Sequence, residues 1–135
     1  MIKYQIENNV SPKEFRDLLV KSKLGERRPV DDFNRITEMV KNANLIITAR
    51  DETKLVGVAR SVTDFVYCTY LSDLAVDDNY QKRGIGKELI RLTKQETPRA
   101  NVILLAAPNA VDYYPHIGMI KHNGCFLLKD LKDLK

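Results

Sequence analysis

Cysteine is scarce in this chain. There are two, Cys68 and Cys125, far apart and with no C-x-x-C pair. The two histidines, His116 and His122, share no ligand spacing with them, so the pattern argues against a structural zinc site and implies no metal. Both cysteines lie in apolar runs and are expected as small residues in or near the core. Five prolines and six glycines are too few for a collagen-like repeat or low-complexity disorder. No apolar stretch approaches the ~20 residues that a bilayer crossing needs. The first residues, Met1 to Glu7, alternate polar and apolar and carry charge, unlike a signal peptide, so a cytoplasmic protein without a membrane partner is expected. An excess of one charge sign is also missing: 22 Lys and Arg face 18 Asp and Glu, a net +4. A duplex reader concentrates its basic residues among aromatics. Here they are scattered, apart from a cluster at Gln81–Lys87 that suits a small anionic ligand better.

What is present is a core. Hydrophobic residues make up 44% and charged residues 30% of 135, the balance of one globular domain. No repeat, linker or composition break divides the chain, so residues 1–135 are expected to pack as a single unit.

Lys3–Glu7 alternates like a half-buried strand. Ser11-Pro12-Lys13-Glu14 reads as a capping box with proline at the first helical position, and Phe15, Leu18 and Leu19 follow at helical spacing. Gly25–Pro29 breaks that helix. Asp31 or Asp32 can cap a second one, with Phe33, Ile36, Met39 and Val40 as its buried stripe. Leu45–Ala49, Lys54–Val62 and Phe65–Val76 read as strands, the last long and rich in β-branched and aromatic residues. A helix from Gly84 places Ile85, Leu89, Ile90 and Leu92 inside. Val102–Ala107 is apolar enough for a strand buried on both faces. Ala110–His116 gives about two helical turns. Met119–Lys121 and Cys125–Leu128 flank His122-Asn123-Gly124, where Asn-Gly signals a hairpin. The order is β-α-α-β-β-β-α-β-α-β-β. The strand–helix–strand unit from Phe65 to Ala107 implies a parallel pair, and the hairpins imply antiparallel ones. An α/β (α+β) fold follows, a mixed sheet with helices on both faces.

The chemistry concentrates in Leu74–Leu89, where a strand runs into a loop with Gln81, Lys82, Arg83, Gly84 and Gly86 and then into a helix. Glycines allow backbone N–H groups to face a ligand without a Cβ between them. A helix N-terminus adds partial positive charge and free donors, and Lys82, Arg83 and Lys87 add full charges; a pyrophosphate needs this set. A Walker loop is excluded because Glu88, not Ser or Thr, follows Gly86-Lys87. The dinucleotide fingerprint fails because Leu89 holds the place of its third glycine.

Gln81-Lys82-Arg83-Gly84-Ile85-Gly86 resembles the acyl-CoA loop of the GNAT superfamily of N-acyltransferases, Gln/Arg-x-x-Gly-x-Gly/Ala. Upstream, Tyr70–Val76 looks like the family's fourth strand. Downstream, Ala110–Met119 looks like its Ala-x-x-Phe-Tyr-x-x-x-Gly-Phe, with Tyr113 and Met119 in place of the two Phe and an unusual Pro115 between. The element order matches as well, so the resemblance covers nearly the whole chain.

The resemblance implies transfer of an acetyl group from acetyl-CoA, as co-substrate, to a primary amine by direct attack. In its terms Leu74, Ala75 and Val76 offer backbone groups to the pantetheine arm. Gln81, Lys82, Arg83, Gly84, Ile85, Gly86 and Lys87 hold the pyrophosphate. Asn109 contacts the arm while also capping the next helix, and Tyr113 lines the site. Tyr114 matches the residue that protonates the departing thiolate. Asp73, on the central strand, is the candidate base, with Asp64 and Glu52 behind it, and against it stands the plain reading of a strand-end residue bonded to backbone. Arg27 and Arg28 border the expected acceptor site; His116 and His122 receive no role. Family members often pair through C-terminal strands, so a homodimer through Cys125–Leu128 is expected. Two other readings remain: a non-catalytic acyl-CoA-binding module, and a basic nucleic-acid-binding domain, which explains the charge and not the glycines.

Overall fold

The computed structural model describes all residues, 1–135. Five strands form one sheet in sequential order: β1 (Ile2–Ile6), β2 (Leu45–Asp51), β3 (Lys54–Thr63), β4 (Cys68–Val76) and β5 (Asn101–Ile103). The first three pairings are antiparallel, and β4 pairs β5 in parallel. Helices α1 (Pro12–Lys21) and α2 (Phe33–Asn42) precede β2, and α3 (Ile85–Glu96) connects β4 to β5. Contacts divide the chain into two units, Met1–Leu105 and Ala106–Lys135.

The helices start where the sequence places their caps. Ser11 accepts from the Glu14 N–H and Asp32 from the Arg35 N–H. The capping box is only half made, because the Glu14 carboxylate goes to Arg50 instead. Phe33 is 43% exposed beneath the Arg16 guanidinium and leaves the α2 stripe to Ile36 and Val40.

Two apolar clusters cover the two sheet faces. Phe15, Leu18 and Leu19 of α1 and Ile36 and Val40 of α2 pack with Ile46, Leu55, Val58 and Ala75. On the other face Ile85 and Leu89 of α3 pack with Ile47, Ala49, Val56, Ala59 and Leu71. Gly57 sets that second approach. A Cβ there would lie 3.0 Å from Ile85 Cγ2 and 3.1 Å from Leu89 Cδ1, so a larger residue would push against the face of α3.

The mixed sheet with helices on both faces is as expected, but the C-terminal part differs. Val102–Ala107 is not a doubly buried strand: β5 stops at Ile103, and Leu105 is 43% exposed. Its only neighbour is β4, whose pairing with it ends at Tyr70, so Leu104–Ala107 has no ladder to join. Met119–Lys121 and Cys125–Leu128 form no strands. Runs of three and four residues make a marginal hairpin, and the Gly124 N–H that a turn would use donates to the His122 side chain. The strand on which a dimer was expected is therefore absent. Both cysteines are exposed, not core: Cys68 begins β4 on an outward position, and Cys125 lies in this irregular segment. In place of two turns from Ala110 there is a 3₁₀ turn at Pro108–Ala110, then α4 (Tyr113–His116).

Candidate functional site

The strand β4 is paired on both sides only as far as Tyr70. From Leu71 to Val76 it keeps β3 and has no partner on its other edge, leaving backbone donors and acceptors for a ligand. This is the opening expected at Leu74–Val76. Ala75 turns its side chain into the core and offers only its backbone, while Leu74 and Val76 pack partly on the α3 cluster.

Past Val76 the chain turns through Asp77, whose Oδ1 accepts from the Asn79 N–H, into a 3₁₀ turn at Asp78–Tyr80. Gln81 braces this loop with bonds to the Val76 carbonyl and the Asp78 carboxylate. Lys82 and Gly84 take left-handed backbone, φ 64° and 80°, and a Cβ at Gly84 would meet nothing within 4 Å. That open side is where a bulky anion can approach the backbone. No side chain caps the start of α3. Lys82, Arg83 and Lys87 are exposed, and none of them pairs with a carboxylate. Free cations around an uncapped helix start favour a phosphate. Ile85, placed in this set by its loop position, is 2% exposed against the sheet and can contribute only its N–H; Gly86 follows on the first turn of the helix.

Sequence reasoning missed Tyr80. Its hydroxyl donates to Asp51 Oδ2 at 2.7 Å, and its ring lies beneath both the Arg83 guanidinium, at 4.8 Å, and the Lys54 ammonium, at 5.2 Å. The Asp51 carboxylate holds the Tyr80 phenol above its usual range, so it stays a donor. An aromatic residue just before a basic loop was the available signal.

Asp73, the candidate base, is not free to take a proton. Its side chain is fully buried, and its two oxygens are taken by the Nε of Arg28 and the Nε of Arg60. Neither oxygen is open to an incoming amine. Asp64, the second choice, organises the β3–β4 turn: one oxygen accepts from the N–H groups of Val66, Tyr67 and Cys68, which hold its carboxyl below the usual range. Glu52 sits in the β2–β3 turn with φ 55°. Arg28 is committed to Asp73, and Arg27 carries no ion pair. Arg60 was overlooked, although a charge inside the otherwise apolar Val56–Val62 demands a buried partner.

In the second unit Tyr114 is partly buried, and burial followed by the neighbouring Tyr113 raises its phenol above the usual range. The two rings meet edge to face, with centroids 5.3 Å apart. Tyr113 is 39% exposed. Pro115 falls in the first turn of α4, where its missing N–H costs nothing, and Gly118, φ 100°, ends the helix with left-handed backbone. Asn109 is exposed inside the 3₁₀ turn and makes no cap bond, so its capping role is not seen. No group of three or more His, Cys, Asp or Glu side chains gathers as metal ligands.

Comparison with known proteins agrees with this arrangement. An acetyltransferase (GNAT) domain model matches residues 22–126. GCN5-related N-acetyltransferase 2, chloroplastic, of Arabidopsis thaliana is 35% identical over 72 residues, 51% of this chain and 28% of that protein. The chain spans between 28% and 57% of the length of the curated relatives it matches. A GNAT family acetyltransferase from Streptococcus pneumoniae superposes with a TM-score of 0.78 at 21% identity, covering 96% of this chain and 98% of that one. An aminoglycoside N-acetyltransferase in complex with CoA superposes with a TM-score of 0.74 at 14% identity, covering 97% and 95%. At these identities the structural likeness is one of fold. The domain match spans most of the sequence, including the loop and the free strand edge, and the chain belongs to the GNAT acetyltransferase family.

Proposed function

We propose that this protein is an N-acetyltransferase that moves an acetyl group from acetyl-CoA to a primary amine. The observation that carries the reading is the continuous path from the unpaired edge of β4 at Leu71–Val76 into the open turn at Gly84, with Lys82, Arg83 and Lys87 free of carboxylates. It suits a long ligand with amide groups at one end and a pyrophosphate at the other. The fold neighbour in complex with CoA supports the choice of ligand class.

Acetyl-CoA supplies an activated acyl thioester. The strand edge orients it through backbone bonds, and a backbone N–H on the open edge of Leu74–Val76 is the donor for charge that builds on the carbonyl oxygen. The loop holds the pyrophosphate. With Asp73 sealed, no buried carboxylate is assigned as base, and the amine loses its proton to water. Tyr114 is the proton donor to the departing thiolate: a free thiol titrates near ~8.5 and a phenol near ~10, and burial keeps this phenol neutral and protonated.

The test is an acetylation screen over an amine panel, read by mass spectrometry, followed by Tyr114→Phe. Turnover falls by about 10²–10⁴ while acetyl-CoA binding is kept. Wild-type turnover in the folded Phe variant would transfer the donor role elsewhere. No acetylated amine from any class, with acetyl-CoA bound, would favour a non-catalytic acyl-CoA-binding module.

A further inference from the structure

The register of β3 and β4 slips between Arg60 and Ser61: Arg60 faces Asp73 and Ser61 faces Leu71, which leaves Ser72 as an extra residue. The bulge exchanges the faces of β4. Leu71 packs on the α3 cluster, whereas Ala75, four residues on, packs on the α1–α2 cluster. An unbulged strand would put both on one face. The bulge lies within the free edge, Leu71–Val76, just before Leu74–Val76.

Ser72 is held twice. Its carbonyl accepts from Arg28 Nη2 at 2.8 Å, and its hydroxyl accepts from Arg60 Nη2 at 3.0 Å. The Nε groups of the same two guanidiniums bind opposite oxygens of Asp73. Arg60 Nη1 continues to the Met39 carbonyl of α2, and Arg28 Nη1 to the Arg27 carbonyl. One buried carboxylate thus sets the spacing of two planar forks that grip one bulged residue. Ion pairs in a core are a costly way to gain stability, but rigid bidentate forks are an effective way to fix backbone.

We propose that Arg28, Asp73 and Arg60 are positioning residues that hold the β4 bulge and thereby aim the free edge at the acetyl-pantetheine end of the ligand. The inference rests on the acetyl-CoA reading of the site. It assigns a role to Asp73 that needs no proton transfer, and it makes binding of the two halves of the ligand separable.

Isothermal titration tests this with acetyl-CoA and with its nucleotide half, 3′-phospho-ADP, at a temperature where circular dichroism shows each variant folded. Arg28→Met weakens acetyl-CoA by about tenfold, the equivalent of one or two backbone hydrogen bonds. The nucleotide half, which meets only the loop, binds it as it binds wild type. Arg28→Lys keeps the charge and the fold but cannot span Asp73 and Ser72 together, so it shows the same split. Equal weakening of both ligands in the folded variants, or no weakening of either, overturns the proposal. A wild-type protein that binds neither ligand overturns the acetyl-CoA reading itself, a result distinct from both.

Discussion

Two ion clusters of inverse make-up tie the helices to the sheet. On β2, Arg50 is the single cation, gripping Glu7 after β1 and Glu14 of α1, with Thr48 adding a bond to Glu7. On β4, Asp73 is the single anion, shared by Arg28 and Arg60. The Arg50 cluster lies partly open, with the Glu14 side chain 43% exposed. The Asp73 cluster is more enclosed, with the carboxylate at 0%, Arg60 at 9% and Arg28 at 20%. The first fastens helix α1 where the sheet is paired on both sides. Both lie at register shifts of the sheet, but the second lies beside the edge of β4 that β5 leaves unpaired past Tyr70. Similar chemistry therefore serves cohesion in one place and, in the role proposed above, the shape of the open strand edge in the other.

The comparison predicts unequal costs. Asp73→Asn, which leaves two guanidiniums around a neutral amide in the core, is expected to lower stability by about 3–5 kcal/mol. Urea denaturation should show that loss as a lower midpoint at an unchanged slope. Arg50→Met leaves Glu7 and Glu14 facing each other, but water can reach them, and about 1–3 kcal/mol is expected from the same measurement. If Arg50→Met costs more than Asp73→Asn, the contrast between open and closed clusters is wrong. Glu14→Gln should cost about 0–1 kcal/mol, as for an exposed pair.

Acid separates the clusters in another way. Hydrogen bonds from Arg50 hold the Glu7 carboxyl down at about 2, against an ordinary 4.5. A carboxyl depressed in the folded state adds stability above its unfolded value and loses it as pH falls toward the folded one. The Glu7 contribution is therefore complete above about pH 4.5 and fades between there and about 2. A thermal-melt series across this window should lose part of its acid slope in Glu7→Gln; an identical slope would remove Glu7 from the acid response.

Much of this was legible in the sequence, for identifiable reasons. The caps at Ser11 and Asp32, the α1 stripe and the long β4 are local, and local chemistry decided them. The turn from Gln81 into α3 is local as well, since Gly84 with its positive φ stands where the helix must begin. What escaped depended on partners distant in sequence. Asp73 looks like a free carboxylate until Arg28 and Arg60 arrive from 45 and 13 residues away. Gly57 looks incidental until α3 packs on it, although a lone glycine inside a strand does signal a close approach. The early end of β5 follows from its partner β4, whose own edge is left open beyond Tyr70, and no pattern within Val102–Ala107 could show it.

The central claim, that the open edge and basic turn form an acetyl-CoA site, is tested most directly by ligand-induced stabilisation. A ligand that binds only the folded state raises the melting temperature, by about 2.7 kcal/mol of stability at a hundredfold excess over Kd. Acetyl-CoA should raise the Tm of the wild-type protein. Gly86→Glu, which sets a side chain and a negative charge at the start of α3, should remain folded and show no such rise. An equal rise in the folded Gly86→Glu protein, or none in wild type, would contradict the assignment.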